Sequence, residues 1–134
     1  MPSSTLTKAN SSKPRRIRVA SVQFESAAAD KDANFRKIET FTAQAAEDGV
    51  RLVVFPECCV TGYWFIRNLT IEQLGSLAEP VPSGPSTQRL VELARRYNIT
   101  IGAGLVEAGT ESAFHNTYVV ALPEIGRASC RERV

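Results

Sequence analysis

The chain has 134 residues, of which 43% are hydrophobic and 22% are charged, and its formal net charge is +2. This composition is typical of one globular domain, and the apolar runs are too short for a transmembrane helix of about 20 residues. So small and interspersed a charge provides no basic face for a nucleic acid. Three cysteines, two of them adjacent, are not the spaced, even set of a secreted disulfide scaffold, so we expect a reduced, cytoplasmic protein.

The two ends of the chain differ in composition from the middle. Residues 1–16 are rich in Ser, Thr, Lys, Arg and Pro and contain no acid, which predicts a flexible lead-in; a transit peptide is a minor alternative. Residues 124–134 show no hydrophobic period, and their back-translation resembles a common sequencing-library adapter read in frame. We therefore expect an artefactual tail after Pro123, and resequencing the gene from genomic DNA tests this expectation.

Strand and helix patterns alternate from residue 17 onward. Ile17 to Phe24 is rich in β-branched residues and predicts a first strand. Asp30 or Asp32 can cap a following helix, and Gly49 is placed to end it. The apolar face of this helix carries Phe35, Ile38, Thr42 and Ala45. Val50 to Phe55 predicts a second strand that is covered on both faces, so the three elements form a βαβ unit.

The second half of the sequence continues the alternation. Thr70-Ile-Glu-Gln73 has the spacing of a capping box and predicts a short helix to about Ala78, before a loop rich in proline and glycine. A third helix is predicted from Ser86. Its apolar face carries Leu90, Leu93, Ala94 and Tyr97. Thr100 to Val106 and Asn116 to Leu122 predict two more strands, which together indicate an α/β domain with a largely covered sheet.

A candidate catalytic acid follows the second strand directly. Glu57 comes after Pro56, at the carboxyl end of a buried strand, where α/β sheets collect their ligands. We expect apolar residues to surround this carboxylate, namely Phe55, Cys58, Val60 and Tyr63. Such an environment raises the pKa of a carboxyl group and suits it to proton transfer. The alternative is a Glu exposed on a loop, which is more frequent for an arbitrary Pro-Glu pair.

The wider pattern resembles the nitrilase, or carbon–nitrogen hydrolase, superfamily. The stretches that carry the resemblance are Arg18-Val-Ala-Ser-Val-Gln23, Asn34, Ala45-Ala-Glu-Asp-Gly49, Leu52-Val-Val-Phe-Pro-Glu57, Gly62-Tyr63, Gly102-Ala-Gly-Leu-Val-Glu107 and Asn116-Thr-Tyr-Val-Val120. They cover residues 17–122 in the order of the family and are specific as a set. The resemblance implies a partial hydrolase domain over residues 17–123, truncated to the first half of an α-β-β-α sandwich.

The resemblance also implies a mechanism. In that family a Cys thiolate attacks a nitrile or carbonyl carbon, a Glu takes the thiol proton and returns protons to the leaving amine, and a Lys stabilises the developing charge. Glu57 matches the family's Glu, the general base and acid. The family's Lys and Cys follow the strand like Asn116 to Leu122, so the resemblance implies that both are absent from this chain and that it is inactive alone.

The implied ligands and partners follow from the same resemblance. The substrate is a small nitrile, amide or carbamoyl compound, no cofactor or metal is implied, and the full-length protein is expected to be a homo-oligomer. Tyr63 and Trp64 are weak candidates for lining the substrate pocket, since two aromatic residues after a turn are at least as often core anchors. We also expect poor stability of the chain alone, because half a sandwich exposes a sheet edge and an apolar face.

The cysteines and a glycine pair have simpler interpretations. Cys58 and Cys59 are expected to be small buried hydrophobes, with a strained disulfide or a soft-metal site as remote alternatives. Cys130 is rejected as a nucleophile because it lies in the tail. Gly102 and Gly104 lack the third glycine of a dinucleotide fingerprint and predict close backbone packing.

Two functions other than the hydrolase stay open at this point. One is a non-catalytic α/β module that binds or dimerises, and the other is the glutaminase domain of a larger synthetase. A downstream Lys-x-His stretch and a Cys in the natural reading frame would favour the hydrolase, whereas an authentic stop after Val134 would favour the module.

Overall fold

The fold is described from a computed structural model that covers residues 14–124 and the backbone of 126–133. The elements in chain order are β1 (Val19–Ser21), α1 (Lys31–Glu47), β2 (Leu52–Val54), a 3₁₀ turn (Trp64–Asn68), α2 (Ile71–Leu77), α3 (Pro85–Tyr97), β3 (Thr100–Ala108), β4 (Phe114–Leu122) and β5 (Gly126–Arg133). This order confirms the α/β class. Most of the predicted lead-in, residues 1–13, lies outside the described residues. Within the described part, no helix is both long and apolar enough to cross a bilayer.

The strands form one mixed sheet in the order β1-β2-β3-β4-β5. The first three strands are parallel, and β3, β4 and β5 are antiparallel to one another in turn. The predicted βαβ unit is confirmed. Its two strands are shorter than predicted, because β1 pairs with β2 over only three residues of each strand. Ile17, at the start of the predicted first strand, is 65% exposed and lies outside the ladder.

The tail contains a strand that the sequence pattern does not predict. Its backbone pairs with β4 over eight residues, from Gly126 opposite Leu122 to Arg133 opposite His115. Such pairing needs only backbone N–H and C=O groups, and the outer edge of β4 offers a row of them. A hydrophobic period is therefore not required for this segment to join the sheet.

The helix ends follow the sequence signals closely. The Asp30 side chain accepts a hydrogen bond from the Ala33 amide at 2.9 Å and caps α1, and Gly49 takes the left-handed conformation just after that helix. Thr70 and Gln73 form the predicted capping box of α2. These caps fix where the loops around the sheet begin, including the loops that border the candidate site.

The two faces of the sheet are covered differently. Helices α1 and α3 pack on one face, where their apolar stripes meet Val53, Ile101 and Val119 in the buried core. The opposite face has no helix among the described residues. Its residues include Val19, which is 58% exposed, and the half-buried Leu52, Val54, Tyr118, Val120 and Leu122. The domain is thus one sheet with one helical layer, and the expected uncovered apolar face is present only in part, because the turn after β2 covers Gly104 on that face.

Candidate active site

Glu57 lies on the turn that follows β2, and this turn crosses over β3. The Phe55 amide donates to the Gly102 carbonyl at 2.8 Å, and the Val60 amide donates to the Gly104 carbonyl at 3.1 Å. The turn therefore continues the parallel pairing of β2 with β3 before it leaves the sheet. Pro56 precedes the acid, as the motif requires, and the turn presents the Glu57 side chain at the surface.

The prediction that apolar residues surround the Glu57 carboxylate is wrong. Phe55, Cys58 and Val60 are buried, but Tyr63 is 48% exposed and Glu57 itself is exposed. The reason is the local direction of the chain. Phe55, Cys59 and Val60 pack in the core, whereas Cys58 and the Glu57 carboxylate contact Asn116 on the side of the sheet without helices.

Gly104 of β3 makes room for the backbone of this turn, as predicted, whereas Gly102 makes room for the Tyr118 ring. A Cβ atom on Gly104 would lie 2.3 Å from the Cys58 backbone nitrogen and 2.9 Å from the Glu57 carbonyl carbon. Cys58 has a φ of 48°, in the left-handed region, which reverses the chain directly after the acid. Close backbone packing at Gly104 is therefore what seats the Glu57 turn on the sheet.

Two side chains of β4 reach the same segment. Asn116 donates a hydrogen bond from Nδ2 to Glu57 Oε1, and the Cys58 thiol donates to Asn116 Oδ1 at 3.3 Å. The Tyr118 hydroxyl donates to the Phe55 carbonyl oxygen at 2.8 Å. Both residues belong to the predicted strand from Asn116 to Leu122. Nothing in their spacing indicates that they would contact the acid or its turn.

A pocket of about 430 Å³ opens beside Glu57. Its wall is formed by the loop after β1, which includes Phe24, by Pro56 and Glu57, and by residues 62–65, which include Tyr63 and Trp64. Tyr63 and Trp64 contact each other edge to face at 5.4 Å between ring centroids, and Trp64 is 71% exposed. The core-anchor alternative is therefore wrong for both rings. They lie on the wall of the pocket that borders the acid.

The two central cysteines are free and buried, so the prediction of small buried hydrophobes is confirmed. Burial raises the pKa of the Cys58 thiol to about 12, with further contributions from the Glu57 charge and from Cys59. Burial also raises the pKa of Cys59 to about 11, against the lowering effect of its hydrogen bond to Gly104. A thiol of this kind is protonated near neutral pH and is a poor nucleophile.

The lysines near the first helix have other partners. Lys31 forms an ion pair of 2.7 Å with Glu79, and Lys37 donates to the Glu25 carbonyl oxygen at 2.6 Å. Within the described residues, neither of these lysines is hydrogen-bonded to Glu57. The structure thus brings together the Glu57 carboxylate, the Asn116 amide and the pocket beside them. Lys31 and Lys37 bind other groups of the protein. The side chain of Cys130 lies outside the described residues.

A buried acid that the sequence does not reveal lies beside the end of β3. Glu79 is only 6% exposed and accepts hydrogen bonds from Lys31, the Ser86 amide and the Ser86 hydroxyl. Burial raises its pKa, but these hydrogen bonds and the lysine charge outweigh burial, so the pKa of Glu79 is lowered overall. Both carboxylate oxygens of Glu79 are thus hydrogen-bonded within the protein, which is the arrangement of a structural anchor between helices α1 and α3.

Comparison with known protein families gives a match over nearly the whole domain. The sequence profile described as carbon-nitrogen hydrolase matches residues 18–125. A nitrilase from Pyrococcus abyssi is 33% identical over 104 residues, which are 78% of this chain and 38% of that protein. Nitrilase 3 from Arabidopsis thaliana is 33% identical over 104 residues, 68% of this chain and 30% of that protein. The chain thus spans between 30% and 38% of the length of these relatives.

Solved structures give the same result for the fold. An amidase from Nesterenkonia sp. superposes with a TM-score of 0.67 at 22% identity, over 87% of this chain and 42% of that chain. A protein described as an N-terminal amidase superposes with a TM-score of 0.71 at 17% identity, over 87% of this chain and 27% of that chain. The sheet and its helical layer are therefore the arrangement found in part of these larger chains.

Proposed function

Because the chain belongs to the carbon–nitrogen hydrolase family, we propose that the protein containing it hydrolyses a non-peptide carbon–nitrogen bond with Glu57 as general base and acid. The observation that carries this role is the position of Glu57. The acid follows β2 on a turn held against β3, its carboxylate is accessible, and it borders a pocket of about 430 Å³. Substrate and an attacking group can both reach a carboxylate in that position.

The proposed chemistry follows the covalent route of the family. Glu57 takes the proton of a cysteine thiol, and the thiolate forms a bond to the nitrile or carbonyl carbon. With an amide, the nitrogen leaves with a proton from Glu57; with a nitrile, the thioimidate first adds a water molecule at its carbon, and ammonia then leaves with a proton from Glu57. In both cases a further water, deprotonated by Glu57, releases the acyl group from sulfur. A lysine stabilises the negative charge that develops on the substrate. In this proposal the cysteine and the lysine come from residues outside this chain.

The proposed substrates are small nitriles, amides or carbamoyl compounds. Relatives at 32% and 33% identity are named arylacetonitrilase, from Fusarium vanettenii, and nitrilase, from Pyrococcus abyssi. A variant of the Nesterenkonia amidase carries acrylamide added to its active-site cysteine. In this chain the aromatic side chains of Tyr63 and Trp64 provide apolar surface beside the acid, which suits the hydrocarbon part of such a substrate.

The remaining parts of the proposal concern the chain and its surroundings. The domain comprises residues 17–123, after a lead-in and before a tail of artefactual origin. These residues alone are inactive, because a covalent mechanism without its nucleophile retains only residual catalysis. The complete protein is a cytoplasmic homo-oligomer. Covering Val19 and Val120 on the open sheet face gives a physical reason for association with further sheet structure.

The experiment that tests the proposal uses the longest natural reading frame that contains this chain. Hydrolysis of an aliphatic amide, an aromatic nitrile and an N-carbamoyl compound is measured for the wild type, Glu57→Gln and Glu72→Gln. Glu72 is an exposed acid on α2 and serves as the matched control. We expect Glu57→Gln to lower kcat by about 100-fold or more, as loss of a general base does, and Glu72→Gln to have no effect. A fully active Glu57→Gln enzyme contradicts the proposal.

A further inference from the structure

We propose that Asn116 is a positioning residue for Glu57: its side-chain amide reaches across β3 and fixes the orientation of the carboxylate. The inference rests on the proposed function of Glu57 and adds a second residue to it. Three features carry it, namely the spacing of side chains on β4, the glycines of β3, and the direction of the hydrogen bonds around the amide.

The first feature is a match between two spacings. Asn116 and Tyr118 are two residues apart on β4, so their side chains leave the same face of the sheet about 7 Å apart. Their targets, Glu57 and Phe55, are also two residues apart, on the segment that leaves β2 in the direction opposite to β4. One strand thus holds the segment after β2 at two consecutive points. Tyr118 fixes its beginning and Asn116 fixes the acid.

The second feature is the empty surface of the strand between them. β3 lies between β2 and β4, and side chains on β3 would block contacts from β4 to the turn after β2. Gly102 pairs with Val120 and Gly104 pairs with Tyr118, so both glycines lie on the face that Asn116 and Tyr118 use. A Cβ on Gly102 would lie 2.8 Å from the Tyr118 ring. Gly102 therefore leaves room for the Tyr118 ring, and Gly104 leaves room for the turn that brings Glu57 within reach of Asn116.

The third feature is the direction of the hydrogen bonds. A thiol donates, so the Cys58 contact at 3.3 Å identifies the Asn116 atom beside it as the carbonyl oxygen Oδ1. The amide nitrogen must then face Glu57, where it donates to Oε1. Because the buried Cys58 thiol is fixed in the turn, the amide cannot rotate without losing this bond. The carboxylate is held by Oε1, and Oε2 is left to accept and return protons.

The kinetic test compares Asn116→Leu with Val120→Ala in the longest natural reading frame. Leu keeps the volume of Asn but donates no hydrogen bond. Val120 is half-buried on the same face of β4 and makes no polar contact, so Val120→Ala is the control for general loosening of the strand. We expect Asn116→Leu to lower kcat by about 10- to 100-fold with KM changed less than about twofold, because the acid remains but is misplaced. Val120→Ala is expected to leave kcat and KM unchanged per folded molecule.

A spectroscopic test on the 134-residue chain examines the contact without catalysis. The side-chain amide protons of Asn116, observed by NMR at neutral pH, are expected to resonate at a different frequency in Glu57→Gln than in the wild type, because the variant replaces a charged acceptor by a neutral amide. Glu72→Gln is expected to leave the Asn116 resonances unchanged. Asn116 side-chain resonances that are the same in the wild type and in Glu57→Gln overturn the inference.

The two tests separate the inference from the proposed function. If Glu57→Gln abolishes turnover while Asn116→Leu retains the wild-type kcat, the function stands and the positioning role is overturned. If Asn116→Leu raises KM alone, the residue binds substrate and the inference is overturned as well. If Glu57→Gln is fully active, the proposed function fails, and the NMR result still decides whether Asn116 holds the carboxylate.

Discussion

Two glutamates of this chain, Glu57 and Glu79, occupy opposite environments. Glu79 is buried, its pKa is lowered, and a lysine and a serine saturate its oxygens. Glu57 is exposed on a turn, is held by the amide of Asn116, and borders a pocket. A search for buried acids with shifted pKa values would select Glu79. Both of its carboxylate oxygens are already hydrogen-bonded to Lys31 and Ser86, so it is unsuited to proton transfer with a ligand.

With the proposed role of Glu57, the difference suggests which environment suits an acid of this fold to catalysis and which suits it to stability. A carboxylate that catalyses proton transfer must exchange protons with a ligand, so it needs an open side and a fixed orientation. A carboxylate that holds helices together needs every oxygen satisfied by the protein. Glu57 has the first arrangement and Glu79 has the second. The comparison is tested by the following variants, from the largest expected effect on stability to the smallest.

Removal of the buried acid is expected to have the largest effect. Glu79→Ala leaves Lys31 and the Ser86 hydroxyl without their partner and is expected to lower the free energy of unfolding by about 3 kcal/mol. Urea unfolding measures this loss, with Glu92→Gln on the exposed side of α3 as control. A Glu79→Ala protein as stable as the control would mean that the contacts of Glu79 with Lys31 and Ser86 do not stabilise the fold.

A side chain at Gly104 on β3 is expected to cause the next largest loss of stability. Gly104→Ala places a Cβ against the backbone of Glu57 and Cys58, which must move, and we expect a loss of about 2 kcal/mol in urea unfolding. Gly75→Ala is the matched control, because its Cβ would meet only the Phe114 ring at 3.7 Å, and Ala favours the helix α2. Equal stability of the two variants would show that the turn does not depend on Gly104.

The pH dependence of stability separates the two acids further. Since the pKa of Glu79 is lowered in the folded state, its contribution is complete above the unfolded pKa of about 4.3 and is lost as pH falls through the folded pKa. The urea midpoint of the wild type is therefore expected to fall more steeply under acid than that of Glu79→Gln. Parallel pH profiles of the two proteins would show that the Glu79 network contributes no acid sensitivity.

The smallest expected effect is that of Glu57 on stability and on its neighbouring thiol. Glu57→Gln is expected to change the free energy of unfolding by less than about 0.5 kcal/mol, since the side chain is exposed.

Because the Glu57 charge is the second cause of the raised Cys58 pKa, after burial, the variant is expected to be alkylated slightly faster at Cys58. Mass spectrometry of iodoacetamide-treated protein measures this rate at each cysteine. Slower alkylation of Cys58 in the variant would reverse the assigned sign.

Most of the secondary structure could be predicted because it depends on local chemistry. The cap at Asp30, the capping box at Thr70 and the apolar stripe of α3 each act within one or two helical turns, and all three are present. The strand ends were less predictable, since a strand ends where its neighbour stops pairing. The strand from Gly126 to Arg133 was missed because backbone pairing along an edge has no side-chain signature.

The sequence by itself determined the α/β class, the βαβ unit, the family resemblance and the choice of Glu57, because all of these depend on patterns contained in short stretches of chain. Only the tertiary structure decided that Glu57 is exposed, that Asn116 contacts it from 59 residues away, and that Glu79 is an anchor. The physical reason is common to these findings. The environment of a carboxylate is set by groups that folding brings from other strands and helices, and the residues beside it in the chain do not specify them.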